Sequence, residues 1–302
     1  MMRSLYSGVS GLRTHQTRMD VIGDNIANVN TVGFKRSSVT FKDVFYQTMR
    51  GGSAGTASTG TPPTNGTGGT NPQQIGLGVT LGSIDVVHTQ GAAASTGNGT
   101  DLMIQGDGFF VLKDSANNLF YTRNGAFHFD NLGYLVNADG LKVQVCYYDT
   151  DNSLQYKNIR LQPSSSASSE YEGLNTTSPP TNPPDSFSID SKGIVHIVVG
   201  TNKYDSYPLA IAKFPNPAGL EKVGQSLYRA TASSGDAQTS NAGDSAKGLA
   251  NTTIIPSALE MSNVDLAQEF TDMIITERGF QANARTITTS DQMLQELVNL
   301  KR

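Results

Sequence analysis

The two ends of this 302-residue chain carry the same repeat, and that limits the fold more than any other feature of the sequence. Leu5, Val9, Leu12, Gln16, Met19, Gly23 and Ile26 are spaced alternately by four and three residues, the heptad spacing that sets one helix face against a partner. Leu266, Phe270, Met273, Glu277, Phe280, Ala284, Ile287, Asp291, Leu294 and Val298 keep the same alternation without a slip. Ser262 with Asp265 three residues on resembles a capping box, which predicts a second helix from near Asn263 almost to Arg302, about 55 Å long. Both helices also contain polar or small residues, and Gly8, Gly11, Gly23 and Gly279 each cost about 1 kcal/mol relative to Ala inside a helix. Two such helices are marginal alone. The expectation is that they remain largely disordered in the monomer and order when copies of the chain surround them.

Between the ends the rhythm changes. Residues 51–74, "GGSAGTASTGTPPTNGTGGTNPQQ", hold no apolar side chain larger than Ala or Pro and read as a mobile polar loop. Short β-branched runs come next, "VTLGSIDVV", "DLMIQGDGFFVLK", "LFYTRNGAFHFD" and "GYLVNADGLKVQVCYY", with Asn124-Gly125 and Asp139-Gly140 as hairpin signals. The predicted class is mixed α and β: paired N- and C-terminal coiled-coil helices around antiparallel β-rich middle domains, an all-β inner domain plus a small inserted β domain. The predicted boundaries are 1–34 and 258–302 for the terminal helical assembly domain and 35–74 for an elbow and the loop. They are 75–146 and 226–257 for the β-rich core, and 147–225 for the inserted outer domain.

Composition and motifs exclude several functions. A formal net charge of -4 offers no basic stripe for nucleic acid or a polybasic membrane anchor. Cys146 is the single cysteine, which rules out an intrachain disulfide and reads as a small buried hydrophobe. No continuous apolar run suggests a secretory signal or a membrane span, so export, if it occurs, is expected to use another route. His15, His88, His128 and His196 are scattered without partners at metal-ligand spacing. "GDGFF" lacks the lysine of a phosphate cradle, and "DNLGYLVNADG" lacks the order of ligands in a calcium loop. Asn-Xaa-Thr triplets at Asn65, Asn98, Asn175 and Asn251 are expected from composition and imply no glycosylation. No catalytic, metal or cofactor-binding residues, no cofactor and no small-molecule substrate are predicted.

The stretch "VIGDNIANVNTVGFKR" ends the first helix near Val29. Asn25, Asn28, Asn30 and Thr31 can bond backbone or a neighbouring molecule, Gly33 permits a backbone angle that a Cβ resists, and Phe34 is expected to anchor the next segment by burial. An ordinary helix cap with an aromatic plug explains the same residues.

Residues 1–36 and the last 41 residues, from "SNVDLAQEFTDMIITERGFQ" onward, resemble the terminal signatures of the bacterial flagellar rod and hook family. "GLGVTLGSIDVVHTQG", "TGNGTDLMIQGDGFFVL" and "YTRNGAFHFDNLGYLVNADGLKVQ" resemble that family's shared β domain, so the likeness spans all but 51–70 and the middle insertion. It implies a non-enzymatic subunit that polymerises into a hollow helical tube lined by the terminal helices. The assembly row would be Leu5, Val9, Leu12, Met19, Ile26, Leu266, Phe270, Met273, Phe280, Ala284, Ile287, Leu294 and Val298, with Asn25, Asn28, Asn30, Thr31, Gly33 and Phe34 as the elbow. Within the family the hook-type subunit, a curved flexible joint passing torque to the filament, is the expectation, because "GGTNPQQIGLGVTLGSID" and "FPNPAGLEKVGQSLYRATASSGDA" resemble hook proteins. The distal rod subunit is the alternative, and a surface ligand-binding protein the rival of another class. Implied partners are copies of itself, the distal rod protein, hook-cap and hook–filament junction proteins and the flagellar type III export apparatus. The implied location is the basal body or hook, extracellular after export without a cleaved signal.

Overall fold

In the computed structural model, residues 2–55, 68–148, 154–161, 172–175, 184–244 and 249–300 are described. Both repeats fold as helices: α1 is Met2–Ala27 and α2 is Leu266–Leu300. The second helix starts three residues later than predicted, since Ser262 Oγ accepts from Val264 N at 3.3 Å and Asn263 turns its side chain elsewhere. Its amide donates to the Val87 carbonyl at 2.8 Å and its Oδ1 accepts from Arg36 N at 2.8 Å, so Asn263 ties down backbone that the capping box left out.

The chain divides into two units. One comprises Met1–Ile26, Ser37–Asp85 and Leu266–Arg302; the other comprises Ala27–Arg36 and Val86–Asp265. In the first, strand Ser37–Asp43 pairs with Val79–Val86, and Tyr46–Arg50 pairs antiparallel with Gln73–Gly76. An isolated Ser53–Thr70 bridge follows that ladder, and Gln73 and Gln74 at the far end of the expected loop are strand, while 56–67 lie outside the described residues.

In the second unit a ten-stranded sheet runs in the order Glu221–Gly224, Leu227–Arg229, Leu119–Thr122, Phe109–Lys113, Lys142–Tyr148, Leu135–Val136, His128–Phe129, with Leu154–Asn158, Ile211–Lys213 and Gln238–Ser240 joined beside it. The run "FFVL" explains why this sheet is buried on both faces. Side chains alternate across a strand, so Phe110 and Leu112 enter one hydrophobic core while Phe109 and Val111 enter another. Segment 147–225 does not fold as a separate outer domain: its strands Leu154–Asn158, Ile211–Lys213 and Glu221–Gly224 belong to the main sheet. Even the three-stranded sheet formed by Ser186–Ile189, Val195–Val199 and Asn202–Asp205 sends Ile189, Val195 and Ile197 into the first core.

Of the two hairpin signals, Asp139-Gly140 turns the chain as predicted, with Gly140 N donating to Asn137 O at 3.0 Å and Val136 opposite Lys142. Asn124-Gly125 does not. Its glycine is needed for close approach, because a Cβ there would collide with the Leu102 carbonyl, and Leu102 N donates to Gly125 O at 3.0 Å.

Candidate assembly surfaces

The two helices meet along rows one residue away from those the apolar spacing marked out. Ser4, Gly8, Gly11, His15, Arg18 and Asn25 of α1 face Ser290, Thr286, Asn283, Gly279, Asp272 and Glu269 of α2, running antiparallel. Each of these rows also keeps the three-four spacing, so the period was right and the face was not. Small side chains allow the close approach. A Cβ on Gly11 would stand 2.6 Å from Asn283 Nδ2, and one on Gly279 would stand 2.7 Å from His15 Cε1. Polar bonds fix the register: Arg18 Nη2 to Asp272 Oδ1 at 3.0 Å and Asn25 Nδ2 to Glu269 Oε2 at 3.2 Å. Buried Glu269, Thr276 and Ser290 fall on one heptad position.

The apolar rows are left on the flanks. Leu5, Leu12, Met19, Ile26, Met273, Ala284, Ile287 and Leu294 are half-buried, and Val9, Leu266, Phe270, Phe280 and Val298 are exposed. Ile287 packs over Gly8 of α1. Met2, Tyr6, Ile274, Ile275, Met293 and Leu297 extend the exposed apolar surface.

The elbow residues separate into three roles. Asn25 is buried and reads backbone in both directions, donating to Ser37 O and accepting from Ser37 N, each at 2.9 Å. Asn28 and Thr31 make a local turn through Thr31 N to Asn28 O at 3.1 Å and Thr31 Oγ1 to Asn28 Oδ1 at 3.0 Å. Gly33 takes φ +68° and donates to the Glu260 carbonyl at 2.8 Å, with Asn124 N only 2.7 Å from where a Cβ would sit. Asn30 is exposed. Phe34 is not the buried anchor expected of it: it is half-buried, with Lys222 Nζ 4.7 Å above its ring. Asn28, Thr31 and Phe34 instead line a cleft of about 270 Å³ with Lys222 and the Gln225–Tyr228 turn.

The anchor is the next residue, Lys35, which sequence reasoning passed over. Its Nζ donates to Glu260 Oε1 at 2.6 Å and to Thr89 O at 2.7 Å. Arg123 Nη1 lies 3.2 Å from Glu260 Oε2, and Gly91 N donates to Glu260 Oε1 at 2.9 Å. Burial lowers the Lys35 pKa, with Glu260 opposing. Burial likewise pulls His88 down to about 4, helped by the charges of Lys35 and Arg123. No spacing signal joins Lys35, Arg123 and Glu260; only the fold brings them together, Lys35 from the turn after α1, Arg123 from beyond strand Leu119–Thr122 and Glu260 from strand Ala258–Glu260.

Among the described residues no group of three or more His, Cys, Asp or Glu is arranged to hold a metal, and no helix is long and apolar enough to cross a membrane.

Three family models match: "Flagella basal body rod protein" over residues 5–35, "Flagellar hook protein FlgE/F/G D1 domain" over 103–197, and "Flagellar basal body rod FlgEFG protein C-terminal" over 255–300. The chain is 46% identical to the flagellar basal-body rod protein FlgG of Bacillus subtilis, with 100% of each chain covered. It is 33% identical to the flagellar hook protein FlgE of Borreliella burgdorferi and 32% identical to the rod protein FlgG of the same organism, again with 100% of each covered.

Proposed function

The chain belongs to the flagellar rod and hook protein family, and we propose that within it this is a rod subunit, the distal rod type, polymerising with copies of itself into a hollow tube. The observation that carries the reading is length. Against the two Borreliella burgdorferi proteins the identities are nearly equal, but the rod alignment closes in 304 positions while the hook alignment stretches to 454. A chain of 302 residues matches the rod protein end to end and lacks the additional length of the hook protein. The segments that resembled hook proteins are thus outweighed, and the hook becomes the second reading.

The geometry supports a structural role. Polar and small rows hold α1 to α2, which leaves the apolar rows on the flanks, partly exposed and available to helices of neighbouring copies. Burying one Leu or Phe side chain contributes roughly 1.5–3 kcal/mol, and a helical polymer repeats that contribution at every subunit. Thirteen side chains from Leu5 to Val298 form the proposed assembly row, and the elbow cleft at Asn28, Thr31 and Phe34 offers a second contact. The subunit would reach its place through the flagellar type III export apparatus and adjoin other rod and hook subunits.

Electron microscopy of basal bodies from a deletion strain tests the assignment. A rod that stops short supports it; a full rod lacking only the curved segment returns the hook reading to first place.

A further inference from the structure

Beside the Lys35–Glu260–Arg123 cluster lies a cleft of about 210 Å³ lined by His88, Asp107, Phe109, Arg123, Lys213 and Phe214. Its charge does not balance. Two buried cations, Lys35 and Arg123, share the single carboxylate of Glu260, and the lining carboxylate of Asp107 is already 3.0 Å from Lys213 Nζ. Arg123 is 5% exposed; its two terminal nitrogens reach Glu260, Ile104 O and Gly106 O, but Nε is buried without a hydrogen-bond partner. Both ring nitrogens of His88 are buried without a well-formed hydrogen bond, and the Pro217 carbonyl lies close enough to the ring to favour a proton there.

We propose that this cleft binds a small carboxylate anion, held by Arg123 Nε and a ring N–H of His88 and admitted past Lys213. Water would satisfy those nitrogens, but it would not supply the missing negative charge. An anion would do both. The charges acting on the imidazole, Lys35, Arg123 and Lys222, are all positive and disfavour its protonation. A bound carboxylate offsets part of that field, so anion binding and protonation favour each other. Binding to the folded chain alone also stabilises it by mass action.

The test uses acetate on the full-length monomer, with ionic strength held constant by the salt of a bulky sulfonate buffer. His88 ring resonances, assigned by difference from His88→Gln, are tracked by NMR alongside the urea unfolding midpoint. The expected result is a saturable shift in those resonances and a matching rise in midpoint, both strengthening between pH 7 and 5.5. Lys213→Gln, at the partly exposed mouth, keeps the fold and weakens acetate roughly fivefold. Linear, unsaturating shifts that are the same in Lys213→Gln would mean general screening and overturn the proposal. So would no shift at all, which would leave water as the occupant.

Discussion

Lys35 Nζ lies 2.6 Å from Glu260 Oε1 although 225 residues separate the two in the chain, and neither side chain is more than 1% exposed. The pair fastens the turn after α1 to the strand Ala258–Glu260 that precedes α2, with the Gly33–Glu260 backbone bond beside it. Arg123 makes Glu260 the shared counterion of two buried cations.

That asymmetry ranks the variants. Glu260→Gln strands two cations and should cost about 3–5 kcal/mol. Lys35→Met should cost distinctly less, because it leaves a neutral Arg123–Glu260 pair. Urea unfolding monitored by tyrosine fluorescence measures both, since the chain has no Trp to mask its 11 tyrosines. Equal losses would mean that Arg123 contributes nothing to the balance.

His88 sets an acid limit. Its folded pKa of about 4 lies below the ordinary 6.5, so between these values the unfolded chain takes a proton that the native state refuses. Its contribution is whole above pH 6.5 and is lost as pH falls through about 4, amounting to at most about 3 kcal/mol. Denaturant midpoints at pH 7, 5.5 and 4.5 should fall in the wild type and fall less steeply in His88→Gln; parallel slopes would assign the loss to other groups.

Glycines on the helix pair are not equivalent. Gly11→Ala and Gly279→Ala push a methyl against Asn283 and His15, and each should cost about 1–3 kcal/mol by parting α1 from α2. Gly23→Ala meets no atom within 4 Å and should stabilise α1 by roughly 0.5–1 kcal/mol. Thermal melts read by far-UV circular dichroism distinguish the two signs.

Cys146 offers an internal clock for unfolding. Its Sγ donates to the Pro208 carbonyl at 3.7 Å, and burial pushes the thiol up to about 12, so the native chain should resist alkylation at pH 8. Labelling should track the urea transition of the sheet; rapid labelling of folded protein would contradict its burial.

How much of this was legible beforehand depended on whether the signal was local. The terminal helices could be read because a heptad period is written into a few consecutive turns, and "DLMIQGDGFFVLK" could be read as strand, though not as one buried on both faces. The contact face was missed for a physical reason. An apolar row marks a face that burial favours without naming the partner, whereas the row holding the single chain together is small and polar, and Gly8, Gly11 and Gly279 signal only a propensity cost until a partner is known. The Lys35–Glu260–Arg123 cluster was invisible for another reason: one sequence does not pair residues across 137 or 225 positions. Boundaries at 147 and 225 failed because strands such as Ile211–Lys213 return to a sheet started a hundred residues earlier.

The division between a holding face and a free face leads to the sharpest prediction. Phe270, Phe280 and Val298 stand 50%, 37% and 66% exposed on α2 and touch no core of their own chain. Replacing each with Ser removes only the part of the side chain that the monomer buries, so the unfolding free energy should fall by about 0.5 kcal/mol for Val298 and about 1–1.5 kcal/mol for each Phe. In a tube the same side chains would meet neighbouring helices, and each loss would be repeated at every subunit, so polymerisation of the purified chain should fall steeply. Thr276→Leu reverses the pattern: Thr276 is fully buried on the row facing α1, its Oγ1 donates to Asp272 O at 2.7 Å, and a larger side chain should part the pair. Sedimentation of assembled protein beside denaturation of the monomer reads both quantities. If the Ser variants weaken the monomer and spare the polymer, the apolar row serves the single chain, and the assembly surface must be sought elsewhere.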